Sequence, residues 1–285
     1  MTGPFRLPSI NGRNVAVLGA GLLGRGIACG WAASGYNIII RDPDPLQRKE
    51  AVQYCMSNMS RYSNSPTQGS IQATGDLHEA VHQCWLSVEA VPEDLSLKSK
   101  IFSGLEKLSP KDSILCSNSS SYRSRDIVKG LRAETRRRSL NMHYYTPPDC
   151  RVVELMTCGE TDKSIFPFMV QKLKETNFKP YIARYESTGL IYNRVWAAIK
   201  REVLTLLAEG ISTPQEIDDI WKEVWYSQQK GPVAMMDAAG LDTILSIEKH
   251  YVKEFSLSSV PVKYLQQFVD QGKLGIKSDK GGILS

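Results

Sequence analysis

The chain has 285 residues and a formal net charge of +5, with 42% hydrophobic and 23% charged residues. This composition is typical of a soluble globular protein, and the mild charge argues against a nucleic-acid-binding protein. Because no apolar run approaches the roughly 18 residues of a membrane span and residues 1–11 lack a signal-peptide pattern, we expect a cytoplasmic enzyme without a membrane partner.

A glycine-rich turn follows the first predicted strand, residues 14–18, and precedes an Ala-rich predicted helix. Its G-x-G-x-x-G spacing is typical of a turn that cradles a dinucleotide pyrophosphate. The first glycine permits the tight turn, the second lets the backbone approach the phosphates, and the third lets the helix pack on the strand. The N–H groups at the start of the helix face the anion. The residues expected at this site are Gly19, Gly21, Leu22, Leu23 and Gly24.

A second strand is predicted over residues 36–40, and Asp42 follows it 23 residues after Gly19. This is close to the spacing of the carboxylate that binds the adenosine ribose in dinucleotide-binding folds. A carboxylate at this position repels the 2′-phosphate of NADP, so the pattern favours NAD, although Arg41 stands beside it. The alternative is an ordinary strand–helix–strand unit that binds nothing.

Strands and helices alternate through about residue 157. The polar stretch 63–75 is predicted to be a loop. Helices are predicted over 43–60, 95–108 and around 125–131, and strands over 85–90, 113–116, 138–145 and 151–157. This alternation predicts an α/β fold with a doubly wound, mostly parallel sheet of the Rossmann type.

The apolar spacing becomes helical from Gly189 onward. The first helix stops at Gly210, and a capping signal at 212–216 starts another. Further helices are predicted over 233–239, 241–254 and 262–271. We therefore place a domain boundary near residue 186, with an α/β domain over residues 1–185 and an all-α C-terminal domain over residues 186–285.

Among the four histidines, His143 differs because it ends a predicted strand. Ligands of open α/β sheets bind beyond the carboxyl ends of the strands. Glu154 lies in the next strand, where it can face His143 and fix its tautomer. The serines of residues 117–121 end another strand and can bind a substrate oxygen. A structural histidine and a helix-capping loop are the alternatives, and Asn193 by itself reads as an ordinary polar helix residue.

Six cysteines are spread along the chain without a C-x-x-C pair. Disulfide frameworks and zinc sites show characteristic cysteine spacings, so this distribution predicts neither of them. We expect reduced, mostly buried thiols and no metal site.

Over nearly its whole length the chain resembles the L-3-hydroxyacyl-CoA dehydrogenase family. The stretches that carry the resemblance occur in the family's order: GAGLLGRGIA at 19–28, VEAVPEDL at 88–95, SNSSS at 117–121, MHYYTP at 142–147, VE at 153–154, GLIYNR at 189–194, GP at 231–232, Asp237, GLDT at 240–243 and LGIKSDKG at 274–281.

The resemblance implies an NAD-dependent oxidoreductase that interconverts a 3-hydroxyacyl thioester and its 3-oxoacyl counterpart by hydride transfer. It implies His143 as the catalytic base and Glu154 as its orienting partner. Ser120 and Asn193 match the residues that hydrogen-bond the reacting oxygen and carbonyl. The resemblance also implies a homodimer formed through the helical domain, with the substrate between the domains. The further cofactor contacts that it implies are Asp42, Glu93, Lys98 and Lys277.

Three departures from the family bear on the substrate. Thr146 stands where the family commonly has Asn, and Trp221 and Trp225 lie in an atypical stretch, 220–230. The segment 48–77 is short against the fatty-acid enzymes, in which that region supplies a CoA-contacting helix. Two alternatives therefore stay open: a dehydrogenase or reductase of a CoA-free 3-hydroxy acid or 3-oxo compound in specialised metabolism, and a dinucleotide-binding protein without catalysis.

Overall fold

The computed structural model describes residues 5–62, 67–228 and 230–284. The chain divides into two compact units, Met1–Ile199 and Lys200–Ser285. In the described ranges, no helix combines the length and the apolar character that crossing a membrane requires.

The first unit is built on a sheet that has eight strands within the described ranges. The strand order is β3-β2-β1-β4-β5-β6-β7-β8, and only β6 and β7 pair in antiparallel fashion. The predicted doubly wound, mostly parallel sheet is thus confirmed, and the strand order reverses between β1 and β4. The strands are β1 (Asn14–Leu18), β2 (Ile38–Arg41), β3 (Ile71–Thr74), β4 (Cys84–Glu89), β5 (Ile114–Ser117), β6 (Ser139–Tyr144), β7 (Val152–Thr157) and β8 (Lys179–Ala183).

Helices cover both faces of this sheet. Along β1, Val15 and Val17 belong to one buried cluster and Ala16 and Leu18 to another, because successive side chains of a strand point to opposite faces. A strand buried on both faces reads as the continuous apolar run seen in the sequence. The helices are α1 (Leu22–Ala32), α2 (Pro45–Tyr62), α3 (Leu77–Val81), α4 (Leu95–Leu108), α5 (Ser124–Val128), α6 (Ala133–Arg136) and α7 (Ile165–Glu175).

Several elements differ from the sequence-based expectation. Strand β3 lies inside the stretch 63–75 that was expected to be a loop, so that prediction is wrong for Ile71–Thr74; residues 63–66 lie outside the described residues. Helix α7 and strand β8 were not predicted at all. The short strand β3 has no buried residue, and β8 is an edge strand that is half-exposed or exposed, so neither shows a strong apolar pattern.

The second unit is helical, as predicted. Helix α8 (Ile191–Ala208) begins in the first unit and ends in the second. The buried hydrophobic core of the second unit consists, in the described residues, of Leu241, Leu245 and Leu265. The other helices are α9 (Pro214–Gln228), α10 (Pro232–Ala239), α11 (Leu241–Glu254) and α12 (Val260–Asp270), followed by a 3₁₀ turn at Gly275–Lys277.

Candidate active site

The glycine turn after β1 has the conformation that its spacing predicted. Gly19 has a positive φ of 110°, which favours glycine, and its N–H donates to the Arg41 carbonyl at 2.8 Å. A Cβ on Gly24 would lie 1.8 Å from the Gly19 carbonyl oxygen, so α1 can approach β1 this closely only with glycine there.

The outer side of the same turn is open. A Cβ built on Gly21 would meet no atom within 4 Å, so a side chain there would occupy free space above the turn. Gly21 is also the N-cap of α1. Among the described residues, no side chain caps this helix, and its first turn has no acidic residue. Its first N–H groups are therefore free to bind an anion. The turn fits a dinucleotide pyrophosphate.

The carboxylate of Asp42 is fixed beside this turn. Its Oδ2 accepts from the Ala20 N–H at 2.9 Å, and its Oδ1 accepts from the Asp44 N–H at 2.9 Å. Arg41, which carries the opposite charge, is directed elsewhere, because its Nε donates to the Gly75 carbonyl at 3.1 Å. The carboxylate of Asp42 is thus oriented at the end of β2, where the ribose of a dinucleotide is expected.

Glu89 and Lys98 form a buried ion pair at the end of β4. Lys98 is 1% exposed and Glu89 is fully buried, and the Nζ–Oε1 distance is 2.8 Å. The other carboxylate oxygen of Glu89 accepts from the Ser117 hydroxyl at 2.6 Å, and Lys98 also donates to the Val91 carbonyl at 3.2 Å. These partners enclose the Lys98 ammonium. Its predicted contact with the cofactor remains a prediction.

Glu93 connects this ion pair to the serine segment after β5. Its Oε2 lies 3.1 Å from Lys98 Nζ, and its Oε1 accepts from the hydroxyls of Ser119 at 2.5 Å and Ser121 at 2.7 Å. Burial favours the neutral acid, but these hydrogen bonds and the Lys98 charge prevail and lower the pKa of Glu93 to about 2. An ionised Glu93 therefore orders the loop that carries Ser120.

His143 and Glu154 are brought face to face, as the strand–turn–strand pattern predicted. They are register partners in the antiparallel β6–β7 pair, and they are 6% and 2% exposed. Burial lowers the pKa of His143 below its ordinary value, while the charges of Glu154 and Glu93 act in the opposite direction. The Glu154 carboxylate therefore acts on His143 through its charge.

The expected orienting hydrogen bond between His143 and Glu154 is not formed. Glu154 Oε2 accepts from the Ile191 N–H at 2.7 Å, and Oε1 accepts from the Tyr192 N–H at 3.1 Å and from the Tyr145 hydroxyl. Within residues 5–62, 67–228 and 230–284, the buried Nδ1 of His143 has no hydrogen-bond partner. The direct contact predicted from spacing is thus replaced: the carboxylate caps the start of α8, because helix N–H groups attract negative charge.

Ser120 and Asn193 are joined at the same end of the sheet. The Asn193 Nδ2 donates to the Ser120 carbonyl at 3.2 Å, which links α8 to the serine segment. The Ser120 side chain is exposed, and no described residue hydrogen-bonds its hydroxyl. Asn193 Oδ1 also lies 3.5 Å from the Tyr145 hydroxyl, and the Ser120 hydroxyl is free to bind a ligand.

Tyr145 also belongs to this site and was not predicted. Its ring packs edge-on against His143, with centroids 4.7 Å apart. Tyr144 points the other way and is buried, where its hydroxyl accepts from Trp31 Nε1 at 2.9 Å. The available signal was strand alternation, which puts the second residue after His143 on the same side as the histidine.

Lys277, the last predicted cofactor residue, lies in the second unit. Its Nζ is 2.9 Å from Asp242 Oδ1 and 2.6 Å from the Thr243 hydroxyl. These contacts join the 3₁₀ turn to the start of α11. Its contact with the cofactor remains a prediction.

The cysteines are all free thiols, and all but Cys150 are buried. For the part of the chain that the structure describes, no group of three or more metal-ligating side chains comes together.

Comparison with known proteins identifies the family. Residues 14–184 match the family model for the 3-hydroxyacyl-CoA dehydrogenase NAD binding domain, and residues 189–284 match the one for the C-terminal domain. A crystal structure of a 3-hydroxyacyl-CoA dehydrogenase from Archaeoglobus fulgidus superposes with a TM-score of 0.78 at 27% identity, covering 95% of this chain and 91% of that one.

Two curated relatives differ in how much of each chain they match. A 3-hydroxyacyl-CoA dehydrogenase-like protein of Cochliobolus heterostrophus is 51% identical over 150 residues, which cover 52% of this chain and only 32% of that longer protein. The 5-formyl-3-hydroxy-2-methylpyridine 4-carboxylate 5-dehydrogenase of Mesorhizobium japonicum is 25% identical over 280 residues, covering 94% of this chain and 89% of that protein. With both domain models matched in order, the chain belongs to the 3-hydroxyacyl-CoA dehydrogenase family of NAD-dependent oxidoreductases.

Proposed function

We propose that the protein transfers a hydride between NAD and carbon 3 of a 3-hydroxyacyl or 3-oxoacyl thioester. One observation carries the proposal: a buried histidine, a free serine hydroxyl and an asparagine amide are all carried by elements at the carboxyl edge of the sheet. His143 lies near the end of β6, Ser120 in the loop after β5, and Asn193 at the start of α8, where its amide donates to the Ser120 carbonyl. Ligands of open α/β sheets bind at this edge.

The cofactor site is assigned to the glycine turn and the residues around it. The free N–H groups of α1 at Leu22 and Leu23 would hold the pyrophosphate, and the Asp42 carboxylate would accept from the ribose hydroxyls. Glu93, Lys98 and Lys277 are proposed as further contacts. When bound, NAD accepts the hydride in oxidation and NADH supplies it in reduction.

His143 is assigned the proton transfer. As general base it takes the proton of the substrate hydroxyl in oxidation, and as general acid it returns that proton in reduction. Burial lowers its pKa, which keeps the imidazole neutral and able to accept a proton at neutral pH. The negative charge of Glu154 stabilises the imidazolium that forms. The Ser120 hydroxyl and the Asn193 amide hydrogen-bond the substrate oxygens.

A CoA-free 3-hydroxy acid or 3-oxo compound is the second candidate substrate. Strand β3 begins at Ile71, soon after α2 ends at Tyr62, whereas the fatty-acid enzymes use this region for a CoA-contacting helix. The Mesorhizobium relative is, by its name, a dehydrogenase of a pyridine carboxylate. Both observations favour a substrate without CoA.

The test is NADH oxidation by the purified protein with acetoacetyl-CoA and, in parallel, with free 3-oxo acids and ketones. His143→Ala should lower turnover by about 10²–10⁴-fold, the usual contribution of general acid–base catalysis, with NADH affinity unchanged. His250→Ala, on the exposed surface of α11, is the matched control and should retain turnover.

Each outcome decides between the candidates. Turnover of acetoacetyl-CoA supports the thioester, and turnover of free 3-oxo compounds alone assigns the CoA-free substrate. Wild-type turnover by His143→Ala would overturn the assigned base. NADH binding without turnover of any substrate would favour the non-catalytic alternative.

We also propose that the helical unit forms a homodimer. On α9, Trp221 and Trp225 stack with their ring centroids 5.5 Å apart, and both are at least 40% exposed beside the exposed Ile220 and Val224. Contiguous apolar surface of this kind is typical of an interface, and the family supplies a second copy as its occupant. Sedimentation should give a dimer for the wild type and for Lys222→Glu, and a folded monomer for Ile220→Glu. A monomeric wild type would refute the dimer.

A further inference from the structure

Tyr145 contacts three of the four residues assigned to the reaction. Its ring packs edge-on against His143, its hydroxyl donates to Glu154 Oε1, and the same oxygen lies 3.5 Å from Asn193 Oδ1. The side chain is half-buried at the end of β6. No other tyrosine hydroxyl in the described ranges lies within hydrogen-bond reach of both Glu154 and Asn193.

The tyrosine hydroxyl has one proton to donate, and the two possible acceptors are unequal. A carboxylate is a stronger acceptor than an amide oxygen, and the contact to Asn193 is at the long limit of a hydrogen bond, so the proton goes to Glu154. Glu154 then has three donors: the Tyr145 hydroxyl and the N–H groups of Ile191 and Tyr192. Two of these donors belong to the first turn of α8 and the third comes from the end of β6, and His143 is not among them.

We infer that Tyr145 is a positioning residue, whose hydroxyl holds the Glu154 carboxylate on the start of α8 and so limits how strongly that carboxylate stabilises a protonated His143. This inference rests on the proposed acid–base role of His143. The charged groups that act on His143 are Glu154 from β7 and Glu93 from the loop after β4. Tyr145 competes with the imidazole for the Glu154 carboxylate.

The competition matters only when His143 gains a proton. A neutral imidazole gains little from a carboxylate, whereas an imidazolium attracts it strongly. Holding Glu154 on α8 therefore makes the imidazolium less stable and a better proton donor to a 3-oxo group. Without the Tyr145 hydroxyl, Glu154 Oε1 keeps only the Tyr192 N–H as a donor and can also accept from the protonated ring.

The test is the His143 pKa in Tyr145→Phe, measured by NMR titration of the histidine ring signals. The chain has only four histidines, so comparison with His143→Ala assigns the resonance. We expect the His143 pKa to rise by about one unit, at the low end of the effect of a nearby opposite charge. The acid limb of the oxidation rate should move to higher pH by the same amount.

Two controls separate this effect from a general disturbance. Tyr192→Phe removes a hydroxyl from a ring that packs edge-on against Tyr145 at 5.4 Å, and it should leave the His143 pKa in place. In the double variant Tyr145→Phe/Glu154→Gln the rise should vanish, because no carboxylate charge is left to be released.

An unchanged His143 pKa in Tyr145→Phe overturns the inference, as does an equal rise in Tyr192→Phe or in the double variant. The proposed function fails separately. If the pKa rises as expected but His143→Ala keeps wild-type turnover, Tyr145 positions Glu154 in a protein whose proton transfer lies elsewhere.

Discussion

Two sets of buried polar groups lie at the carboxyl edge of the sheet, and they differ in how completely they are paired. Around Lys98, the ammonium contacts Glu89, Glu93 and the Val91 carbonyl, and both oxygens of Glu89 have donors. Around His143, the ring Nδ1 has no partner in the described ranges, although a carboxylate faces it across the strand pair.

The difference indicates that the paired groups around Lys98 stabilise the fold, whereas the unpaired ring of His143 is available for proton transfer. A fully paired buried network rigidifies the structure around it. An unpaired buried polar atom costs about 1–3 kcal/mol, so its retention calls for an explanation. At His143 the proposed function supplies the explanation: a ring without a fixed partner can take up and release a proton. The paired set should therefore respond to mutation in stability and the unpaired set in reactivity.

The largest effect on stability is expected from Lys98→Ala. The substitution leaves Glu89 buried without its cation, and uncompensated buried charges of this kind typically cost about 3–5 kcal/mol. Denaturant unfolding should show this loss. Lys100→Ala, at an exposed position on the same helix, is the control. A loss no larger than that of Lys100→Ala would mean that the Glu89–Lys98 ion pair does not stabilise the fold.

A smaller effect, on binding, is expected from Asp42→Asn. The variant loses the charged acceptor proposed for the ribose, and a hydrogen bond to a charged group is worth about 1.5–3 kcal/mol, so NADH affinity should fall by about tenfold or more. Discrimination against NADPH should fall as well, since the negative charge is gone. Calorimetric titration with both nucleotides measures this. Asp44→Asn, the adjacent carboxylate, should bind NADH as the wild type does; equal losses in both variants would refute the assignment.

The smallest effect is expected from Glu93→Gln, and it depends on pH. The pKa of Glu93 is lowered from 4.5 to about 2, so its contribution to stability is complete above pH 4.5 and is lost as the pH falls toward 2. Its side chain is 38% exposed, and solvent screening reduces that contribution to about 1 kcal/mol. The unfolding free energy of the wild type should therefore decline more steeply over this interval than that of the variant. Parallel slopes would contradict the charge network.

The sequence predicted the parts of the site that depend on local pattern. The glycine spacing determined the turn between β1 and α1, and two strands joined by a short turn placed His143 opposite Glu154. It did not predict where the Glu154 oxygens point, because two of their three donors are backbone groups of a helix that begins 37 residues later. Docking of a helix end on a sheet edge is a tertiary event with no local signature.

The missed elements have a similar cause. Strand β8 contains Pro180 and lies at the sheet edge, where a strand needs no continuous apolar run. Tyr145 was overlooked because neighbouring tyrosines look alike in a sequence, and only the side on which each lies separates a core residue from a site residue. The alternation rule could have separated Tyr144 from Tyr145 once the strand was accepted.

The Glu154 carboxylate binds the start of helix α8 and also faces His143. The order of the first turn of α8 and the protonation of His143 are therefore linked equilibria. The N–H groups of Ile191 and Tyr192 that it binds open helix α8, which continues past Ile199 into the second compact unit. Linkage is reciprocal, so a proton on His143 that draws the carboxylate away must loosen the first helical turn, and whatever tightens that turn must weaken the hold on the proton. We therefore expect amide hydrogen exchange at Ile191 to report the protonation of His143.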